Sequence, residues 1–289
     1  MKKLLFALCM AMAPATLLAL PIGNPWEASL HTKGVFWDDH CTYDWDQCSG
    51  CFDALSFRLG YYGDFVFDRH LRVDRKGDHS TIHDTKISTN AIYLALNFCN
   101  RIDLFGTLGA SQIGISTPSK VFGNTLAPPL DNLFVDVDSE TTFSWSMGVR
   151  GTLLEWGCLG IGAEAHYFRS RSRLNSAHSP DFDTFYFVNE ERPIYHEWQV
   201  GLGAAYRINI ACGTALIPYA GIKWSDCQFT SDNAQADLGF DITIFDLENN
   251  RKWGYAFGMT LLGCDKASIT VEGRFRDEKA LYVNGQFRF

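Results

Sequence analysis

The sequence of 289 residues has little of what a membrane-spanning helix or a nucleic-acid surface would need. No segment beyond the N-terminal residues approaches 18 uninterrupted apolar residues, and Pro14 interrupts the apolar run at the start. Basic residues are not in excess: the formal net charge is −8 and the pI is near 5.4, so we expect no nucleic-acid partner. The chain also lacks a Pro/Ser-rich linker or a break in composition. These absences favour one folded domain.

The N-terminus has the pattern of a secretory signal peptide over residues 1–19. Two lysines, Lys2 and Lys3, precede the apolar run Leu4–Ala13, and the small residue Ala19 provides an exit site. We expect the mature protein to begin at Leu20, with a cysteine-containing N-terminal segment over residues 20–54 and the folded body over residues 55–289. A protein exported without a helical anchor is periplasmic, secreted or an outer-membrane barrel.

The last stretch of the chain, Ala280–Phe289, alternates strictly between apolar and polar residues. Leu281, Val283, Gly285, Phe287 and Phe289 share one face, and the residues between them, from Tyr282 to Arg288, share the other. An apolar face that ends on an aromatic residue at the chain terminus is typical of the closing strand of an outer-membrane barrel, apolar toward lipid and polar toward the lumen.

The same alternation recurs along the chain. Ten segments carry it: 55–67, 92–98, 102–112, 143–150, 159–167, 197–207, 216–227, 253–262, 268–276 and 280–289. Three shorter β-like runs, 133–137, 184–188 and 240–245, lie in the long connections. The sequence therefore predicts an all-β protein, a transmembrane antiparallel β-barrel of the outer-membrane type with about 12 strands, in a range of about 10–16.

The lengths of the connections predict the orientation of the barrel. The connections at one end are short, namely Cys99–Arg101, Leu154–Gly157, Asn209–Gly213 and Gly263–Lys266. At the other end most are long, namely 74–85, 113–141, 170–194 and 228–251, and only 277–279 is short. Because such barrels have short periplasmic turns and long external loops, we assign the short turns to the periplasm.

Eight cysteines remain after Cys9 of the signal peptide is excluded, and an oxidising compartment favours disulfides. The disulfide candidates are Cys41, Cys48, Cys51, Cys99, Cys158, Cys212, Cys227 and Cys264. Most fall on the predicted periplasmic side, where partner chains could also pair with them. The Cys48-x-x-Cys51 pair has two alternative interpretations, a redox pair and half of a zinc site, although no second CxxC or spaced His pair supplies further zinc ligands.

Charged residues on the polar faces of the strands are candidates for lining a pore. They are Arg58, Asp64, Asp103, Arg150, Glu164, Glu197, Arg207, Lys223, Glu272, Arg274, Arg276 and Arg288. Positive charges slightly outnumber negative ones in this set. Since Arg and Lys rings favour anions in a pore, the sequence predicts a weak anion preference.

Three other features have both a functional and an ordinary interpretation. His166 beside Glu164 is an acid/base pair or simply lumen lining, and Asp136/Asp138 and Asp237/Asp241 are calcium ligands or ordinary loop charges. Outward aromatic residues are interfacial anchors or sugar-stacking platforms. These aromatic residues are Trp145, Trp198, Tyr206, Trp224, Trp253 and Tyr255. The ordinary interpretation is favoured in each case.

Several motifs together resemble the chlamydial major outer membrane protein family. They are Leu20–Pro25 (LPIGNP), Gly60–Arg69 (GYYGDFVFDR), Arg101–Ser111 (RIDLFGTLGAS), Trp145–Gly157 (WSMGVRGTLLEWG), Glu197–Arg207 (EWQVGLGAAYR), Pro218–Ser225 (PYAGIKWS) and Asp277–Phe289 (DEKALYVNGQFRF). The resemblance implies a trimeric outer-membrane porin that also joins a disulfide-linked envelope with cysteine-rich periplasmic proteins. This chain is a shorter member, mainly in its four long loops.

These observations predict a porin of the cell outer membrane, in contact with outer-membrane lipid, that passes small hydrophilic solutes passively. We expect no catalytic residues, no cofactor and no metal. The alternative is a purely structural, disulfide-cross-linked envelope protein with a closed lumen, because barrels of about ten strands are filled by side chains. An outer-membrane enzyme is a third reading.

Overall fold

The computed structural model describes residues 21–35, 55–74, 80–118, 134–179, 182–186, 192–211, 213–230, 233–235, 241–243 and 246–289. The predicted signal peptide, the cysteines Cys41, Cys48, Cys51 and Cys212, and Asp237 lie outside these ranges. In the described part the protein is almost entirely antiparallel β-structure, with one helical turn, α1 (Glu27–Leu30). No helix in these ranges is long and apolar enough to cross a bilayer.

Ten long strands form a closed wall. They are β1 (Leu55–Arg69), β3 (Asp84–Phe98), β4 (Ile102–Pro118), β6 (Thr142–Trp156), β7 (Leu159–Arg171), β10 (Ile194–Tyr206), β12 (Thr214–Thr230), β16 (Trp253–Gly263), β17 (Ala267–Phe275) and β18 (Glu278–Arg288). Each strand pairs with the next in this order, and β18 pairs with β1 to complete the circle. The sheet therefore has no open edge along its wall.

Eight shorter strands extend the wall or flank it. They are β2 (Leu71–Val73), β5 (Phe134–Ser139), β8 (Leu174–Ser179), β9 (Phe182–Tyr186), β11 (Ile208–Ala211), β13 (Asn233–Gln235), β14 (Asp241–Thr243) and β15 (Leu247–Asn249). The upper end of β4 pairs with β5, which pairs with β8, so β5 and β8 continue β6 and β7 beyond the wall. The pair β13–β14 forms a separate hairpin.

Each of the ten alternating segments predicted from the sequence overlaps one of the ten wall strands, with end differences such as Arg207 and Arg276, which lie just outside β10 and β17. The wall is at the lower end of the predicted range of strand numbers, and the three additional β-like runs form the short strands β5, β9 and β14 outside the closed circle. The largest difference is at β3, which begins at Asp84 rather than Ile92. In its first half both faces carry mainly polar residues, such as inward Thr85 and Thr89, so the apolar/polar alternation is not visible there.

The distribution of polarity is the reverse of that in a soluble protein. Large apolar side chains on the outer face are exposed, including Phe143 at 63% and Leu154 at 64%, while Glu272 and Arg274 on the inner face are 0% exposed. Only a hydrocarbon solvent outside makes this arrangement stable, because exposed apolar side chains are then at no disadvantage and inward polar groups pair with one another. The wall is a membrane-spanning barrel of the outer-membrane type.

Two of the tight turns at the end assigned to the periplasm have positive φ angles at both central residues. These pairs are Cys99 and Asn100 (φ 51° and 51°) and Cys264 and Asp265 (φ 53° and 56°). Such angles define type I′ turns, whose twist matches the flanking strands. The turn after β6 is shorter than predicted, since β6 continues to Trp156 and β7 starts at Leu159.

Candidate functional site

The interior of the barrel is the candidate site, and it is filled in three layers. Residues 21–35, called here the N-terminal plug, fill the lower layer on the side of the short turns. A charged layer lies above the plug, and an apolar cluster closes the upper end. That cluster is formed by buried residues from the upper strand ends and from β2 and β15, including Val66, Leu71, Ile113, Phe229 and Leu247.

The first residues of the plug bind the middle of the lumen. The backbone N–H groups of Ile22 and Gly23 donate to the two carboxylate oxygens of Glu272, at 3.1 and 3.0 Å. Tyr219 donates its hydroxyl to the same carboxylate at 2.8 Å. The Gln199 amide of β10 donates to the carbonyl of Pro21 at 3.0 Å. Strands β10 and β17 thus hold the upper end of the plug, and Tyr219 of β12 supports the Glu272 carboxylate.

The bend of the plug places a tryptophan against the wall. The Asn24 side chain accepts a hydrogen bond from the backbone N–H of Trp26 at 2.9 Å and donates to the Thr260 hydroxyl at 3.0 Å. An asparagine that caps its own turn in this way is a common turn device. The indole N–H of Trp26 then donates to Glu155 at 2.8 Å.

Glu27 is the centre of a buried charge cluster. Arg150 binds Glu27 Oε2 through Nη1 at 2.6 Å and Glu164 Oε2 through Nη2 at 2.6 Å. Gln286 donates to the other oxygen of Glu27. Arg58 pairs with Asp103 and donates to the backbone carbonyl of Glu27. Burial raises the pKa of the Glu27 carboxyl, and the coulombic effects of Arg150 and Arg58 oppose that rise.

The plug leaves the lumen at the end with the short turns, which is the end assigned to the periplasm and is called here the periplasmic end. The Ala28 carbonyl accepts from Asn97, the Lys33 N–H donates to the Asp265 carbonyl at 3.2 Å, and the Val35 N–H donates to the Arg288 carbonyl at 2.9 Å. Burial, together with the charges of Arg58 and Arg288, lowers the pKa of His31 well below its usual value, so His31 adds no positive charge at neutral pH.

Inward glycines make the space that the plug occupies. A Cβ atom on Gly162 of β7 would lie 1.8 Å from the Pro25 carbonyl oxygen, and one on Gly160 would lie 2.3 Å from the Trp26 ring. On β10, a Cβ on Gly201 would lie 3.7 Å from the Ile22 Cβ atom. Any larger residue at Gly160 or Gly162 would displace the backbone or ring of the plug. The wall is therefore shaped for this segment.

The charged layer above the plug is a continuous network. Arg69 binds Glu278 at 2.6 Å and Glu197 at 2.9 Å, and Lys223 binds Glu197 at 3.4 Å. Arg274 pairs with Asp64 and lies 3.2 Å from Glu278. In such a network each buried charge depends on a partner, because an unpaired buried charge is strongly destabilising.

Ten of the twelve pore-lining candidates are buried inside the barrel. They are Arg58, Asp64, Asp103, Arg150, Glu164, Glu197, Lys223, Glu272, Arg274 and Arg288. The structure places the other two elsewhere. Arg207 lies at the periplasmic end, bound to Asp265 at 3.0 Å, and Arg276 is exposed in the turn between β17 and β18.

The described cysteines occupy two different environments. Cys99, Cys158 and Cys264 lie at the periplasmic turns, where Cys158 and Cys264 are exposed. Cys227 is 0% exposed in the upper interior, and its thiol donates to Asn249 at 2.8 Å. The disulfides expected from the sequence remain a prediction.

The other sequence features are placed as follows. His166 is buried beside Glu164 at 3.9 Å and beside Gln199 at 3.2 Å. Asp136 and Asp138 are exposed on β5, and no group of three or more His, Cys, Asp or Glu residues in the described ranges could hold a metal ion. The aromatic candidates Trp198, Trp253 and Tyr206 are exposed on the outer face of the barrel.

The plug and its contacting residues Asn24, Trp26 and Glu27 were not predicted from the sequence. Neither were Arg69, Asp277 and Glu278 of the charged layer. The residues from Pro21 to Pro25 look like a plain turn-rich linker. The informative signal is on the wall instead, where Gly160, Gly162, Gly201 and Gly203 occupy inward positions that would otherwise carry side chains.

A family model described as Chlamydia major outer membrane protein matches residues 1–81, 77–179, 189–250 and 240–289. The chain belongs to this family. The match covers nearly the whole sequence, including the plug and every strand of the wall. As a member of the Chlamydia major outer membrane protein family, the protein is located in the outer membrane as a multi-pass barrel.

Relatives within the family support the same assignment. The chain is 32% identical over 397 positions to a major outer membrane porin of Chlamydia psittaci, and 31% identical over 398 positions to the major outer membrane porin, serovar E, of Chlamydia trachomatis. Both alignments cover 100% of each chain. Since this family member has 289 residues, the alignments contain many positions that it lacks.

Solved structures similar to this family member include other outer-membrane barrels. The translocator domain of the autotransporter NalP from Neisseria meningitidis has a TM-score of 0.41 and 14% identity, over 84% of this chain and 88% of that chain. An outer membrane channel from Pseudomonas putida F1 has a TM-score of 0.36 and 10% identity, over 82% and 96%. Similarity at this level carries no functional argument.

The fit of the plug to the wall can be tested with two glycines of the barrel. We expect Gly162→Val to displace the plug, because the new side chain would collide with the Pro25 backbone. Gly285→Val is the matched control, since a Cβ at this strand position has no atom within 4 Å. Hydrogen exchange at the amides of Ile22 and Gly23 should be slow in the unmodified protein and in the control, and fast in Gly162→Val. Equally slow exchange at these amides in all three proteins would contradict the described position of the plug.

Proposed function

We propose that this protein is a porin that lets small hydrophilic solutes diffuse passively across the outer membrane. The observation that carries the proposal is the closed wall with an apolar outer face and a charged, hydrogen-bonded inner face. Membership of the family, whose relatives bear the name major outer membrane porin, supports it. We propose no catalytic step and no cofactor.

The path for solutes in this proposal opens when the plug leaves the lower lumen. The contacts that seat the plug are hydrogen bonds and charge pairs to Glu272, Thr260 and Arg150, which water and solute ions can replace. The wall itself is held by its own strand pairing, so it does not need the plug in order to stay closed. The apolar cluster at the upper end must also yield for a solute to pass.

A second candidate function is a structural envelope barrel that never conducts. The observation that favours it is the filling of the lumen at both ends, by the plug below and by the apolar cluster above. A wall of ten strands is also near the size at which side chains alone fill the interior. The two functions differ in whether the refolded barrel conducts ions in a planar bilayer.

A disulfide lock tests the proposed movement of the plug. In Ile22→Cys/Gly201→Cys the two Cβ atoms would be 3.7 Å apart, close to the mean separation of about 3.8 Å in disulfides. We expect single-channel conductance from the unmodified protein, loss of conductance from the oxidised double variant, and recovery after reduction.

The single variants Ile22→Cys and Gly201→Cys are the controls for this lock, because they meet the same oxidant and reductant without forming the bridge. Conductance that persists in the oxidised double variant would show that the plug is not the barrier. A folded protein that is silent with and without reductant would favour the structural function instead.

The weak anion preference remains a prediction, and the pairing of charges limits its size. Each of the cations Arg58, Arg69, Arg150, Lys223 and Arg274 is paired with a buried carboxylate. Arg207 and Arg276 lie outside the interior, while Glu27, Asp277 and Glu278 add three carboxylates to it and Arg69 adds one cation. The positive excess counted from the sequence is therefore lost. We therefore propose that the selectivity is close to neutral.

A reversal potential across a KCl gradient measures this selectivity. We expect a value near zero, and a shift toward cations in Arg274→Gln, because that change leaves Asp64 and Glu278 with less positive charge beside them. Arg276→Gln, which changes an exposed residue outside the interior, should cause no shift. A strong cation preference in the unmodified protein, or equal shifts in both variants, would contradict the proposal.

We also propose that cysteines of the periplasmic turns link the protein to other envelope chains, and that the barrels assemble as a homotrimer. Cys99 and Cys264 each occupy the first central position of a type I′ turn, where positive φ favours Asn, Asp or Gly over other residues. A cysteine there costs roughly 1–2 kcal/mol relative to glycine. Because cysteine is unfavourable for the turn itself, its presence at these two positions supports a function of the thiol group.

Replacement of these cysteines separates the two roles. We expect Cys99→Asn/Cys158→Ser/Cys264→Asn to reduce the high-mass species on non-reducing gels of envelopes, while the barrel stays at least as resistant to heat. Cys227→Ala is the control, because Cys227 is buried at the opposite end and should not affect the species. An unchanged pattern of high-mass species in the triple variant would contradict the proposed links.

A further inference from the structure

The outer face of β6, β7 and β10 carries an aromatic group near the loop end of the barrel. Tyr167 of β7 lies between Trp145 of β6 and Trp198 of β10, with ring centroids 5.5 and 4.6 Å away. Tryptophan and tyrosine concentrate where the hydrocarbon of a membrane meets its headgroups. This group therefore marks the level of the lipid headgroups in the outer leaflet.

Two arginines stand directly above this aromatic group. Arg169 and Arg171 follow Tyr167 at intervals of two residues on β7, so all three side chains project from the same outer face, and both arginines are exposed. The strand register places Arg169 opposite Trp145 on one side and His196 on the other. The arginines thus project outward where lipid headgroups lie.

These arginines differ from other cations at the same end of the barrel. Lys86 lies 3.2 Å from Asp84, and Lys252 lies 2.7 Å from Asp226, so each has a carboxylate partner. Among the residues that the structure describes, neither Arg169 nor Arg171 has an ion-pair partner. Both are therefore available to an anion from outside the chain.

The chemistry of the site selects the class of anion. A guanidinium group binds a phosphate through two parallel N–H bonds, and successive outward residues of a strand are about 7 Å apart, so two arginines offer two phosphate sites along one line. The aromatic rings below would contact the apolar part of the same molecule. We propose that Arg169 and Arg171, flanked by His196, bind the phosphate groups of a lipid headgroup in the outer leaflet.

This binding is independent of conduction, because the site is on the outer face of the wall and does not touch the plug or the charged layer. A bound lipid would join β7 to the headgroup layer and would stabilise the folded barrel by mass action. Since the attraction is between exposed charges, it should weaken as salt concentration rises.

The test compares the full-length barrel in vesicles of phosphatidylcholine alone and in vesicles that also contain lipid A, which carries phosphates. The readout is the midpoint temperature at which the gel mobility of the folded barrel is lost. We expect lipid A to raise this midpoint for the unmodified protein. Arg169→Gln/Arg171→Gln should have the normal midpoint in phosphatidylcholine and lose the rise with lipid A.

Lys86→Gln is the matched control, since it removes an outward cation at the same end whose partner is within the chain; it should keep the rise. Dephosphorylated lipid A separates the phosphates from the acyl chains and should give no rise. An equal rise in the double arginine variant, or a rise with dephosphorylated lipid A, would overturn the proposal. A rise caused by inorganic phosphate in phosphatidylcholine vesicles would identify a free-phosphate site instead of a lipid site.

Discussion

The pairing of Glu27 with Arg150 is the interaction on which the rest of the interior depends. The side chain of Arg150 is buried in the interior, and among the described residues of the wall Glu164 is its carboxylate partner. The plug brings the second carboxylate, and the same carboxylate accepts from Gln286 of the closing strand. Because removing one partner of a buried ion pair costs more than the pair itself contributes, wall and plug have to be compatible at this point.

The match between plug and wall also explains the odd composition of the inner face. At the plug end of β7 and β10 the inward residues are glycines, including Gly160, Gly162, Gly201 and Gly203. If the lumen were empty, these positions would expose backbone with no side chain covering it. With the plug in place, the same glycines contact Pro25, Trp26 and Ile22 at short range. The charged residues lie where the inward positions are not glycine, around Glu27 in the plug layer and around Arg69 in the charged layer.

The sequence predicted the wall well and its contents poorly, for a physical reason. Lipid outside and paired charges inside impose a strict alternation of apolar and polar residues on each strand. Strands such as those predicted at 102–112 and 280–289 can therefore be recognised from their own sequence, without reference to the strands they pair with. The plug has no such period. Its contacts, such as Ile22 with Glu272, join residues about 250 positions apart, and only the folded wall brings them together. The charges inside the lumen differ from the predicted set because Glu27 enters from this segment and Arg276 lies exposed in a turn.

The seam between β1 and β18 joins the first and last strands of the wall, and this sets the order in which the protein can fold. No partial chain can complete the circle, so the lumen does not exist until residues near Phe289 are in place. The plug precedes β1 in the chain, yet two of its binding groups, Glu272 and Gln286, lie on the last two strands of the wall. The other wall pairings join consecutive strands, so closure waits for this one distant pairing, and the complete set of plug contacts forms only when the last two strands are in place.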